Sequence, residues 1–243
     1  MLSLIEKVAV ITGSNRGLGR AVAIELAKRG AILVLNYRKS KKAADKAFAE
    51  IKRHSPKSIL IKANVSSEKD VKRMFSYVFK RFHRVDILIN NVGNFLFKKI
   101  SQHSHSEFRG VIESNLYGTF LCSKSVLEKM RARKYGKIIN IGCAGCDRIT
   151  IREHTTPYYI AKTGVYMLTK AMAAEEAKYK ININMVSPGI LETSIVKQKV
   201  PAGRLASHKD IINAILFLLN ENSSYINGAN IEVAGGWVPG HSS

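Results

Sequence analysis

The strongest constraint on how this chain folds lies in its first thirty residues. A strand-like run, KVAVITG (7–13), leads into the glycine-patterned turn Gly13-Ser14-Asn15-Arg16-Gly17-Leu18-Gly19, and the helix-like RAVAIELAKRG follows at once. Glycine is needed where a backbone turns tightly or must approach a bound group closely. A helix that starts at such a turn offers unpaired N–H groups and the positive end of its dipole, which together attract phosphate. Gly13, Ser14, Arg16, Gly17, Leu18 and Gly19 are therefore candidate nucleotide-binding residues.

The same strand–helix alternation runs through the chain. Strands are predicted over 7–13, 31–37, 58–65, 86–93, 136–142, 181–187 and 230–236. Helices are predicted near 17–29, 41–53, 68–82, 105–131, 158–179 and 208–220. The strand runs are short, rich in Ile and Val, and apolar at successive positions, the pattern of a parallel sheet covered on both faces. This predicts an α/β protein: one doubly wound parallel β-sheet with helices on both faces, a Rossmann fold, spanning 1–243 as a single domain. Ser104 with Glu107 and Ser207 with Asp210 have capping-box spacing, and Pro157 suits a first helical turn. The irregular stretches 143–157 and 188–207 each follow a strand, where open α/β sheets bind ligands.

Bulk properties narrow the setting. No apolar run is long enough to span a bilayer, the start of the chain lacks the pattern of a secretory signal, and three cysteines do not make a disulfide framework. A reducing, cytoplasmic compartment is expected. Lys and Arg total 39 against 18 Asp and Glu, a formal charge of +21. The basic residues are scattered over helix ends and exposed faces, which reads as a solvated basic surface, with a specific acidic partner as the alternative. Neither a helix-turn-helix nor an aromatic stacking surface points to nucleic acid. His103 and His105 alternate in a polar stretch and read as solvent-exposed.

Five ordered motifs then identify a relationship. TGSNRGLG resembles the TGxxxGxG turn of the short-chain dehydrogenase/reductase family. Asn90-Asn91-Val92-Gly93 resembles its NNAG, Asn115 lies in SNLYG, Tyr158 to Lys162 matches YxxxK, and Ser187-Pro188-Gly189 matches its PG turn. The resemblance implies a nicotinamide dinucleotide cofactor. It places Asn64 and Val65 near the adenine, and Asn91, Gly93, Pro188, Gly189, Ile190 and Thr193 along the rest of the cofactor. After the second strand, where an NAD site usually carries an acid, the chain reads Tyr37-Arg38-Lys39-Ser40. A carboxylate there would repel a 2′-phosphate, whereas Arg38 can bond one bidentately. Arg16 is similarly suited, and Lys39 and Ser40 can assist. NADP(H) is the expected cofactor; no metal site is expected.

Tyr158 and Lys162 are one turn apart on a helix, and an ammonium beside a phenol should lower its pKa. The resemblance makes Tyr158 the proton donor to a carbonyl as hydride arrives from NADPH. It makes Lys162 a holder of the nicotinamide ribose and Asn115 the anchor of a proton-resupplying water chain. Cys143 stands where the family carries a carbonyl-polarising serine, and a thiol is a weaker donor. The gap from Cys143 to Tyr158 is longer than usual, and Thr155 or Thr156 is an alternative hydroxyl. Cys143 and Cys146 also form a C-x-x-C, readable as a redox pair or half a zinc site, but no second pair exists and the setting is a Rossmann strand end.

The C-terminal third, from VPAGRLASHKD to the VAGGW ending, looks like the end of β-ketoacyl-acyl-carrier-protein reductases. A 3-oxoacyl thioester is thus the expected substrate. An acidic acyl carrier protein would dock around Arg133-Lys134 and Lys178-Lys180, and helices 105–131 and 158–179 would form a homotetramer or homodimer. Two alternatives stay open: reduction of another small carbonyl compound, and an NADPH-binding regulatory protein with weak or no catalysis.

Overall fold

The computed structural model describes residues 2–149 and 153–237; of the stretch 143–157, residues 150–152 lie outside the description. A seven-stranded sheet forms the centre. Its strands are β1 (Val8–Ile11), β2 (Ile32–Tyr37), β3 (Ile59–Lys62), β4 (Ile87–Asn90), β5 (Gly136–Ile141), β6 (Ile181–Pro188) and β7 (Asn230–Val233). They are all parallel, in the order β3-β2-β1-β4-β5-β6-β7. The helices are α1 (Gly17–Lys28), α2 (Lys41–His54), α3 (Glu68–Phe82), α4 (His105–Ile112), α5 (Gly118–Arg133), α6 (Thr156–Glu176) and α7 (His208–Leu219).

Period-two alternation in the strands feeds two apolar layers. Ala9, Ile11, Leu33, Leu35 and Ile89 pack against α1, α2 and α7 on one face. Val8, Val10, Val34, Leu88 and Ile138 pack against α3, α5 and α6 on the other. Each fully buried aliphatic side chain contributes ~1.5–3 kcal/mol. Strand order reverses between β1 and β4, and this switch point opens a crevice at the carboxyl ends of the strands.

The predicted capping boxes at Ser104 and Ser207 both form, and Pro157 sits in the first turn of α6. Removing the Ser207 hydroxyl (Ser207→Ala) frees an N–H at the start of α7 and should cost ~1 kcal/mol, read as a lower urea midpoint.

One expectation is corrected. The helix predicted over 105–131 is interrupted by a π turn at Glu113–Tyr117. There Ser114 Oγ donates to Gly110 O at 2.7 Å and Thr119 Oγ1 to Asn115 O at 2.7 Å. Hydroxyls that bond backward to carbonyls compete with the regular ladder and widen the turn. A second correction concerns His103. It is only half exposed, with both ring nitrogens buried and unpartnered among the described residues, while His105 is exposed in the first turn of α4.

Candidate active site

At the switch point the glycine turn borders a groove of about 450 Å³. Gly17 has φ +53°, and no atom lies within 4 Å of where a Cβ would stand, so the turn is open toward the groove. Arg16 at the start of α1 makes no side-chain capping bond, so the first-turn N–H groups are left for a ligand. A Cβ on Gly19 would lie 2.6 Å from both Asn91 Nδ2 and Gly13 O. Asn91 Nδ2 bonds Thr12 O at 3.0 Å, which ties the turn to the end of β4.

Arg16, Arg38, Lys39, Ser40, Asn64 and Val65 line this groove, as do Gly13, Gly17, Leu18 and Gly19. Ser14 does not. It is fully buried, and its Oγ accepts the Asn36 N–H at 3.0 Å, so this candidate ligand contact is a strut between the turn and β2. Asn36 was not anticipated as part of the site. Its Oδ1 accepts the Gly13 N–H at 3.2 Å and its Nδ2 donates to Ala63 O at 3.0 Å. A buried Asn closing an otherwise apolar strand was the available signal.

Beyond Asn91 and Gly93 the groove leads into a larger cavity, of about 640 Å³. Leu18, Cys143, Tyr158, Pro188, Gly189, Ile190 and Thr193 line it. Its outer wall comes from residues that sequence reasoning did not single out: Phe95, Phe97, His154, Leu191, Ile195, Val196 and Trp237. Phe97 stacks on His154 at 4.8 Å, and Phe95 meets Tyr158 edge-on at 5.1 Å. The alternating FLF after NVGN was a faint signal for the first two. Thr155 also lines the cavity.

Beneath the cavity, Cys143, Cys146, Val165 and Met185 form a small core on which Tyr158 and Tyr159 pack. A buried relay holds α6 to the sheet: Asn90 Nδ2 bonds Asn140 Oδ1 at 2.9 Å, and Asn140 Nδ2 bonds Thr169 Oγ1 at 2.9 Å. Lys162 is buried, and its Nζ donates to Ile141 O at 2.6 Å, 5.5 Å from the Tyr158 ring centre. Asn115 lies behind Gly93. Its Nδ2 bonds Asn94 O and Val111 O, each at 2.9 Å, and its Oδ1 is buried without a partner.

The electrostatics differ from the sequence expectation. Burial pushes the Tyr158 phenol well above its ordinary value, with the nearby Cys143 and Tyr159 adding to the rise. Burial likewise lowers the Lys162 ammonium. Desolvation of both groups therefore outweighs the expected lowering of the phenol by Lys162.

These features sit on a chain whose residues 7–203 match the sequence model of the short chain dehydrogenases. The chain belongs to that family. As a short chain dehydrogenase it is an oxidoreductase of a family that uses nicotinamide cofactors. It is 34% identical to a 3-oxoacyl-[acyl-carrier-protein] reductase of Synechocystis sp., covering 98% of this chain and 99% of the relative. It is also 34% identical to a 2-dehydro-3-deoxy-D-gluconate 5-dehydrogenase of Formosa agariphila, over 95% of this chain and 92% of that one. A solved structure from Agrobacterium tumefaciens, provisionally described as a gluconate dehydrogenase, superposes with a TM-score of 0.89 at 32% identity over 96% of both chains.

Proposed function

We propose that the protein is an NADPH-dependent reductase of 3-oxoacyl thioesters. The observation that carries this is the character of the continuous cleft. Its nucleotide end is lined by Arg16, Arg38 and Lys39 with no carboxylate among the described residues. Its substrate end is walled by aromatic and aliphatic side chains with no Lys or Arg among the described residues. The first half suits an adenosine 2′-phosphate. The second suits an apolar acyl chain and offers no Lys or Arg among the described residues to pair with the carboxylate of a sugar acid, while Glu153 would repel one.

The residues fit the dinucleotide: the uncapped start of α1 and the open face of Gly17 would take its pyrophosphate, Arg38 and Arg16 the 2′-phosphate. When bound, the dinucleotide supplies the hydride. Tyr158, kept neutral by burial, donates its proton to the substrate oxygen. Cys143 is also held as a thiol by burial, and its S–H donates weakly to the same oxygen. Lys162, held by its bond to Ile141 O, would take the nicotinamide ribose, and Asn115 fixes the backbone around Gly93.

The acid form of Tyr158 is populated below its pKa, so raising that pKa extends the range over which it can donate. Reduction should therefore stay flat from about pH 6 to 9, and the reverse oxidation, which needs the phenolate, should climb across the same window. Initial rates in both directions check this; a reduction rate that falls through neutral pH would overturn it.

Docking of an acyl carrier protein needs a narrower basic patch than the sequence suggested. Arg133 is engaged inside the protein, where it pairs with the buried Asp86, so Lys134, Lys178 and Lys180 are the exposed candidates. They lie at the carboxyl ends of α5 and α6, opposite the cleft, so docking there would serve a neighbouring subunit. Tyr117 and Phe120 at α5, with Ile160 and Met167 on α6, are exposed apolar groups suited to that assembly. Among the described residues no helix is long and apolar enough to cross a membrane, and all three cysteines are free; a cytoplasmic setting accords with both.

The deciding test is NADPH oxidation with acetoacetyl-CoA or an acetoacetyl carrier-protein thioester, with NADH in parallel. NADPH-specific turnover is the expected result. Tight NADPH binding without turnover of any carbonyl in a broad panel would favour the second reading, a nucleotide-binding regulator, which Cys143 in place of a serine motivates.

A further inference from the structure

The chain leaves β5 through Cys143-Ala144-Gly145-Cys146. The Cys146 N–H donates to Cys143 O at 3.1 Å, and Gly145, at φ +79°, supplies the left-handed residue that a type II turn takes at its third position. The end residues of such a turn have Cα atoms less than about 7 Å apart, within reach of a disulfide. The two side chains sit in the same small buried cluster beneath the cavity.

The turn is also held still. Glu232 of β7 accepts the Gly145 N–H at 2.6 Å and pairs with Arg148 at 2.8 Å. Ser187 Oγ, bonded to Asn230 Oδ1 at 2.6 Å, lies 3.6 Å from Cys146 Sγ. The contact from Cys143 holds the Cys146 thiol at about 7, so the pair carries thiolate character near neutral pH. Cys143 is part of the cavity wall, and a small oxidant that enters the cavity meets it. Cys122 is the contrast: it is fully buried in the core, which pushes its thiol up to about 12.

We propose that Cys143 and Cys146 form a peroxide-sensitive dithiol whose oxidation to an intramolecular disulfide removes the S–H from the cavity and stops carbonyl reduction. The loss of turnover rests on the reductase reading above; formation of the disulfide does not. As Cys143 sulfur attacks one oxygen of hydrogen peroxide, its proton passes to the Cys146 thiolate. The O–O bond breaks, leaving a sulfenic acid and hydroxide. The Cys146 thiol displaces the sulfenic oxygen as water, its sulfur bonds Cys143, and the hydroxide is neutralised by the proton shed in forming the first thiolate. Two thiols and one peroxide thus give one disulfide and two waters, the sulfurs losing two electrons and the peroxide gaining them. A reducing dithiol reverses the change.

The test uses the whole protein. After graded peroxide, free thiols are alkylated under denaturing conditions and tryptic peptides are weighed. Both cysteines fall in the single peptide 138–148, so the disulfide appears there as an unalkylated peptide lighter by two hydrogens. The expected result is that this species grows with peroxide, disappears with dithiothreitol, and leaves Cys122 alkylated throughout. Alkylation of both Cys143 and Cys146 after treatment, or their unlinked over-oxidation, would overturn the proposal. In Cys146→Ser the acceptor for the Cys143 proton is lost, so Cys143 should stay alkylatable at peroxide doses that link the native pair; loss of Cys143 alkylation at those doses in that variant also counts against it. Where turnover is measurable it should fall in step with the linked fraction, and a linked pair with unchanged turnover would refute control of the site. A protein that turns over no carbonyl but forms the disulfide separates failure of the reductase reading from failure of this one.

Discussion

Tyr158→Phe should lower the rate of carbonyl reduction by ~10²–10⁴-fold, the range attached to a positioned proton donor, and leave NADPH affinity within a factor of about 2. The substitution removes one hydroxyl and little else. The ring keeps its edge contact with Phe95, and Lys162 keeps its bond to Ile141 O, because neither uses the phenol oxygen. A mere loss of packing would instead weaken binding and stability together. Single-turnover rates with saturating NADPH, beside a fluorescence titration of the nucleotide, distinguish the two. Retention of more than about a tenth of the native rate would move the proton donor to another group at the cavity, with Cys143 and Thr155 the first to substitute.

Arg38→Asp should weaken NADPH binding by ~10–100-fold, the ~1.5–3 kcal/mol of a hydrogen bond to a charged group, and change NADH binding by no more than about threefold. Arg38 is exposed at the groove where β2 ends, so its charge acts through solvent unless a phosphate is bonded directly. That distinction gives the experiment its force. A general positive field from a chain of charge +21 would favour both nucleotides through their shared pyrophosphate, and reversal of one charge would then weaken both alike. Equal losses would therefore sink the 2′-phosphate assignment. A selective loss supports it, with Arg16 and Lys39 as the remaining cations.

The fold was legible because two periodicities carry it. Strands such as Ile32–Tyr37 alternate between the two cores, and helices such as Glu68–Phe82 turn one stripe inward. The motif residues were legible because they are close in sequence: the glycine turn, and Tyr158 with Lys162. The cavity wall was not, since Phe95, His154 and Ile195 come from three separate connections and Trp237 from the segment after β7, and they meet only when the sheet is assembled. Side-chain direction was hidden too. Ser14 looked like a phosphate contact but points inward to Asn36, and Arg133 looked like a docking group but pairs with Asp86. The sign of the Tyr158 shift depends on burial, which a spacing of four residues does not reveal.

The clamp that Glu232 places on the turn after β5 joins distant parts of the chain. The phosphate-binding turn is braced by Asn36 from β2 and Asn91 from the end of β4, so both of its braces lie in the amino-terminal half of the chain. The segment bearing Cys143 is different. Its brace, 87 residues downstream of Gly145, lies in β7, the last strand among the described residues. Loss of β7 would thus release the turn that bears Cys143 and leave the braces of the glycine turn in the chain.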